Sequence, residues 1–168
     1  WQHGAAATTR VVSTFGCTPL LVACSEGHLD VAKWLYEVGA ADDVVKMNHY
    51  GWTPMFAACL EGHLQVAKWL FTVGAAGSIR TQDTDDGWSP MYAACVEGHL
   101  PVVKWLFEVG AADDIRTKNI HGMTPLCVVC SLGHFDLAKW LFGVGAAVDL
   151  RTKNNDGKNP MMAACLHD

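Results

Sequence analysis

The chain has 168 residues, 51% of them hydrophobic, with twelve Lys and Arg against seventeen Asp and Glu for a net charge of −5. That acidic balance opposes a binding mode dominated by the phosphate backbone, so no nucleic-acid partner is expected. No run of eighteen apolar residues occurs and no basic, apolar leader precedes the first recognisable segment; neither a membrane span nor a secretory signal is expected, and the expected location is intracellular, cytoplasmic.

In chain order, residues 1–12 read as the tail of a preceding unit, because His3-Gly4-Ala5-Ala6 matches Val38-Gly39-Ala40-Ala41. From there one pattern recurs. Thr18-Pro19 opens it, Gly27-His28 divides it, and Lys33-Trp34-Leu35 with Gly39-Ala40 closes it. The opening returns at Thr53-Pro54, Ser89-Pro90, Thr124-Pro125 and Asn159-Pro160, and the divider at Gly62-His63, Gly98-His99 and Gly133-His134. Successive opening prolines are 35, 36, 35 and 35 residues apart, so one residue has been added in a single copy, between Gly74 and Ser89. Repetition at this period signals stacked units that bury their core between neighbours. Complete units are expected over 13–47, 48–83, 84–118 and 119–153, with 154–168 a partial unit, the whole forming one array.

Each unit reads as two helices and a connector. Thr53 accepts a bond from an unpaired amide and Pro54 already has the φ of a first helical turn, so a helix starts there. It runs about two turns through small Ala57, Ala58 and Cys59 before Gly62 supplies the left-handed stop, and is too short to persist alone. A second helix follows, in which Val31, Trp34, Leu35 and Val38 fall on one apolar face widened by Ala32 and Tyr36, with Asp30, Lys33 and Glu37 opposite and facing water. Gly39 ends it, and fourteen residues rich in Asp, Asn and Gly form a loop or short hairpin leading to the next Thr-Pro.

With Thr-Pro at its start, Gly-His at the helical turn and Gly-Ala after the second helix, this unit resembles the ankyrin repeat, and the resemblance runs through nearly all 168 residues. It implies an all-α helix-turn-helix solenoid. The units are two or three residues longer than the usual ~33, and the histidine that follows T-P-L in the family is replaced by Leu21, Phe56, Tyr92, Cys127 and Met162, which implies a greasier seam between units. In the family, connector tips and outward positions of the first helix grip protein partners. Carried over, those positions are Tyr50, Asp86 and His121 before the tip glycine, Trp52, Trp88 and Met123 after it, and Leu60, Glu61, Val96 and Glu97 on the first helix. Trp52 and Trp88 lie off the helical stripe, where they either anchor a partner or cover the adjacent connector.

Other recurring residues invite chemistry that periodicity argues against. Trp34, Trp69, Trp105 and Trp140 are expected to form a ladder of core rings between layers. His28, His63, His99 and His134 repeat one layer apart, too far to converge on one ion, so a loop-tethering role is expected and no metal or cofactor. Cys24, Cys59, Cys95, Cys130 and Cys165 share one repeat position, beyond disulfide reach of each other, and read as reduced and buried. Cys127 and Cys130 have redox-motif spacing but sit inside a helix without a βαβ setting. Lys33, Lys68, Lys104 and Lys139, joined by Arg80, Arg116, Arg151, Lys118 and Lys153, form a basic stripe whose interleaved acids suit a solvated face.

No nucleophile triad or phosphate loop stands apart from the repeat, so the chain reads as a non-catalytic module that binds a protein partner on its concave and tip surface. The alternatives are a structural subunit of a larger multi-protein assembly and a regulatory region of a larger enzyme. Met161, Met162 and Leu166 leave the last helix apolar, and the ends are expected to be covered by further repeats or a partner.

Overall fold

The computed structural model describes residues 12–164. The matches at His3 to Ala6 and the positions Cys165 and Leu166 lie outside the described residues. First helices are α1 (Pro19–Ser25), α3 (Pro54–Leu60), α5 (Pro90–Val96), α7 (Pro125–Ser131) and α9 (Pro160–Ala164). Second helices are α2 (Leu29–Leu35), α4 (Leu64–Leu70), α6 (Leu100–Leu106) and α8 (Phe135–Gly143). Each first helix stacks on the next, and the buried residues of all layers join in one continuous core.

The starts form as their residues dictate. Thr18, Thr53, Ser89 and Thr124 hold extended backbone, and each side-chain oxygen accepts from the amide three residues on, at 3.1 to 3.4 Å. Proline follows every one of them. In the two central layers nothing of the first helix reaches water before its last turn, since Pro54 to Cys59 and Pro90 to Cys95 are all buried. On the second helices Asp30, Lys33 and Glu37 do face water.

The chain leaves each second helix through a wide turn in which Gly39, Gly74 and Gly110 take φ of 125°, 115° and 121°. A single 3-10 turn follows, at Ala41–Val45, Ala76–Arg80, Ala112–Arg116 and Ala146–Arg151. The connector is therefore not loop alone. The turn pushes Ala40, Ala75, Ala111 and Ala146 inward, and plugs the seam with Val44, Ile79 and Ile115, all buried. Only then comes a hairpin-shaped tip, closed by Asn48 N–H donating to the Trp52 carbonyl at 3.1 Å.

Three contacts repeat across internal seams. The first joins a glycine to a histidine. Gly27, Gly62 and Gly98 have positive φ, and a Cβ there would lie 2.6 to 2.7 Å from the ring of His63, His99 and His134 of the next unit. The histidines thus fill sockets that only glycine leaves open, and His134 Nε2 donates to the Val96 carbonyl oxygen at 2.8 Å, the tethering expected of them.

The second contact corrects the expected tryptophan ladder. Indoles do not stack on indoles. Trp69 meets Tyr36 edge-on at 5.9 Å, Trp105 meets Phe71 at 5.9 Å and Trp140 meets Phe107 at 5.4 Å. A seam of one aromatic from each side lets a ring edge point at a ring face, the arrangement the quadrupole favours. Burial is graded, from 8% exposure at Trp105 to 54% at Trp34.

The third contact draws on the basic stripe. Arg80 donates from Nε to Asp114 Oδ1 at 3.0 Å, and Arg116 Nε lies 3.4 Å from Asp149 Oδ2, so these two guanidinium groups bridge layers instead of lining a free cationic face. Asp114 and Asp149 are buried. Where Val45 replaces the arginine, Ser78 replaces the aspartate in the next unit, so no buried carboxylate is left opposite an apolar side chain.

Candidate protein-binding surface

Each tip is built on a short polar residue whose side-chain oxygen holds two backbone amides, Ser13 in the first tip, with Oγ accepting from Phe15 and Cys17 at 3.3 and 3.1 Å, and an Asn or Asp in the others. Asn48 Oδ1 accepts from Tyr50 and Trp52 at 3.0 and 2.9 Å, and Asn119 Oδ1 from His121 and Met123 at 3.1 and 2.9 Å. Asp83 Oδ1 does the same for Asp86 and Trp88, at 3.2 and 2.8 Å. Sequence reasoning misses these anchors. Their signal is an Asn or Asp recurring nine residues after Gly39, Gly74, Gly110 and Gly145, the residue type whose short side chain mimics a backbone turn.

Asp83 also locates the added residue. It spans five positions to Trp88, where Asn48, Asn119 and Asn154 span four to Trp52, Met123 and Lys158. The longer tip reads Asp83-Thr84-Asp85-Asp86-Gly87-Trp88, and three of its six residues carry carboxylates.

Neighbouring tips are tied by backbone. His49 N–H donates to the Phe15 carbonyl, Thr84 to Tyr50, Ile120 to Asp86 and Asn155 to His121, all at 3.0 to 3.1 Å. The residues before each tip glycine therefore stand in a row, Phe15, Tyr50, Asp86 and His121. Its first part is aromatic. Phe15 and Tyr50 are 56% and 38% exposed, their centroids 5.9 Å apart, and Tyr50 continues to Trp52 at 6.0 Å and Trp52 to buried Phe56 at 5.3 Å. Its second part is polar, with His121 Nε2 3.4 Å from Asp86 Oδ1.

Trp52 and Trp88 are both half-buried, and each lays its ring against the first helix behind it, Trp52 on Phe56 and Trp88 on Tyr92 at 5.5 Å. Trp88 Nε1 and the Tyr92 hydroxyl are buried without a hydrogen-bond partner. An unsatisfied buried donor costs about 1–3 kcal/mol. Burial holds the Tyr92 phenol well above its ordinary range, and the Cys127 and Cys95 thiols and the Asp86 carboxylate push it the same way.

The helix positions sit apart from the tips. Leu60, Glu61, Val96 and Glu97 occupy the far end of α3 and α5, where Glu61 and Glu97 are exposed and Leu60 and Val96 half-buried. A seven-residue helix spans about 10 Å, and its buried length separates this row from the tips. Val96 packs on the core and its carbonyl receives His134, so it serves the seam. Met123, half-buried, stands where the two preceding tips carry tryptophan.

Chemistry at the cysteines is suppressed by burial, which pushes the Cys24 thiol up to about 12 and raises Cys59 and Cys95 further. Cys127 and Cys130 are raised too, chiefly by burial. A raised thiol has less thiolate to attack or be oxidised. Among the described residues no three His, Cys, Asp or Glu side chains gather at metal-binding distance, and no helix is long and apolar enough to cross a membrane.

A family model for ankyrin repeats, in three copies, matches residues 3–83, 44–119 and 75–152. Comparison with curated proteins found no match.

Proposed function

The chain belongs to the ankyrin-repeat family, whose units are in general non-catalytic protein-interaction modules, and from that premise we propose that it binds a protein partner along its row of tips without catalysing a reaction. One observation carries the reading. Phe15, Tyr50 and Trp52 form a contiguous aromatic strip at the solvent edge, held by anchored turns and cross-tip backbone bonds. Large apolar rings kept in water are the residues that anchor interfaces, and a strip already ordered loses little freedom on association.

The row of Glu61 and Glu97 caps the far ends of the first helices that the tips lead into, and extends the contact to a partner broad enough to span both. Photo-crosslinking in cells tests the assignment. Benzoylphenylalanine replacing Tyr50 or Asp85 is expected to capture the same protein, whereas replacing Lys68, on the water-facing side of α4, captures none. Capture from Lys68 alone would move the interface to the opposite face.

A further inference from the structure

The lengthened tip sits beside the aromatic strip. Thr84 N–H donates to the Tyr50 carbonyl at 3.0 Å, and a Cβ on Gly51 would lie 2.9 Å from Thr84 Cγ2, so the second and third tips are in direct contact. Going along the row, exposed rings give way within one layer to Asp85 and Asp86. Among the described residues Asp85 makes no ion pair, and Asp86 faces only His121. Between Ser13 and Met123 none of the tip segments contains Lys or Arg. Of the cations flanking the tips, Arg80 lies across the seam on Asp114 and Lys46 on Asp43 at 3.8 Å, while exposed Lys118, just ahead of the fourth tip, makes no ion pair with Asp85 or Asp86.

Behind this tip lies a second feature. Tyr92 is 2% exposed, its ring rests on Trp88, and its hydroxyl, within range of the Asp86 charge, bonds to nothing. Trp88 Nε1 is likewise without an acceptor. The equivalent residue one layer earlier is Phe56, which packs in the same way against Trp52 with no hydroxyl at all. The fold therefore does not require the phenol. Two donors without acceptors, behind a tip whose Asp85 has no ion pair and whose Asp86 meets only His121, and next to exposed rings, meet what a peptide segment offers together: a backbone carbonyl, a cationic side chain and an apolar one.

We propose that the junction of the second and third tips recognises a segment of a partner protein carrying a Lys or Arg, seated on Asp85 and Asp86, and a large apolar residue a few positions away, seated on Tyr50 and Trp52. Engagement turns the Trp88 indole outward, which frees its Nε1 and the Tyr92 hydroxyl behind it to donate to carbonyls of the segment. Layers are about 8–10 Å apart and an extended chain rises about 3.3 Å per residue. The basic and apolar residues of the partner are therefore about three positions apart. This inference rests on the tip row being the binding surface.

The test is selection of binders from a random dodecapeptide display library on the immobilised full chain. Enriched peptides should place Lys or Arg about three residues from an aromatic or large aliphatic residue. Their affinity should fall at least tenfold on Asp85→Asn with Asp86→Asn, and fall with added salt. Tyr92→Phe should weaken them several-fold while leaving the melting temperature of the free chain unchanged or higher, since it deletes an unbonded hydroxyl; a hydroxyl with a purely structural role would lower it. Neutral or acidic enriched peptides, or peptides indifferent to the Asp85/Asp86 pair but lost on Tyr50→Ala with Trp52→Ala, would overturn the cationic assignment and leave the tip surface standing. Peptides indifferent to both pairs, or no enrichment, would remove the tip surface as well.

Discussion

The seams between layers and the row of tips are made from the same repeated sentence, yet they have diverged to different degrees. At the internal seams the glycine and histidine recur unchanged, and an aromatic edge meets an aromatic face at 5.4 to 5.9 Å each time. Along the tips the residue before the glycine is in turn Phe15, Tyr50, Asp86 and His121, and one tip has gained a residue. A seam side chain must fit a neighbour of its own kind, so a change on one side demands one on the other, as Val45 and Ser78 show together. Tip side chains are under less of that constraint. The array is thus uniform where it holds itself together and individual where it meets something else.

That contrast is most sharply broken from the seam side. Trp105→Ala removes a ring that is 8% exposed and packed on Phe71, and should cost about 3–5 kcal/mol. Trp34→Ala, at 54% exposure, should cost a small fraction of that, and half-buried Trp69 should fall between; urea unfolding of the three variants gives the order. A cost at Trp34 equal to that at Trp105 would mean burial does not set the contribution.

A smaller effect isolates the histidine socket. Gly133 has φ of +74° and, among the described residues, nothing within 4 Å of the point where a Cβ would stand, so Gly133→Ala should incur only the left-handed backbone cost, about 1–2 kcal/mol. Gly62→Ala has the same backbone problem and also drives a Cβ to 2.6 Å from the His99 ring. It should cost roughly 1–3 kcal/mol more, and equal unfolding midpoints would deny the socket any role.

Next comes the buried carboxylate. Burial raises the Asp114 carboxyl above its ordinary 3.8, Arg80 pulls it down by charge and hydrogen bond, and Asp113 adds to the rise. The folded chain therefore holds this proton more tightly than the unfolded one. Its contribution to stability is fullest at low pH and declines as pH rises from 3.8 through the folded value. Asp114→Asn should flatten that decline in urea midpoints. Arg80→Ala should steepen it and cost about 1–3 kcal/mol at neutral pH; an unchanged profile in both would show the pair to be electrostatically idle.

The smallest effect belongs to the tips. Asp83→Asn keeps the oxygen that holds the Asp86 and Trp88 amides, as Asn48 and Asn119 do for theirs, and should change stability by less than about 0.5 kcal/mol. A large loss by thermal melting would mean that charge, not the acceptor, shapes this turn.

Much of the fold is legible in the sequence because it depends on near neighbours in the chain. Thr53 before Pro54 starts a helix by bonding three residues ahead, and Gly62 ends it by its own φ. Periodicity alone points the histidines to a tethering role, and His134 makes such a bond. What escapes depends on partners one layer away. Arg80 reads as one more cation on a stripe until Asp114, 34 residues on, is found beside it. Trp34 and Trp105 have the same helical phase but different exposure, because helical phase says which way a ring points and nothing about what lies there. The 3-10 turns escape because Asp, Asn and Gly signal an end to regular helix without saying how the following residues are used. At the candidate surface, the tip residues follow from a family resemblance, whereas their split into an aromatic part and an acidic part follows from which tips touch.

The cross-tip backbone bonds have a mechanical corollary. They tie one edge of the stack with a backbone hydrogen bond per layer, while among the described residues the second helices are joined across layers by side-chain packing. When such a solenoid flexes, its second helices fan open or close, and the tied edge keeps its length. Curvature is then the soft coordinate and the tip-to-tip interval the stiff one, so anything lying along that edge is measured by a ruler whose marks do not move as the molecule bends.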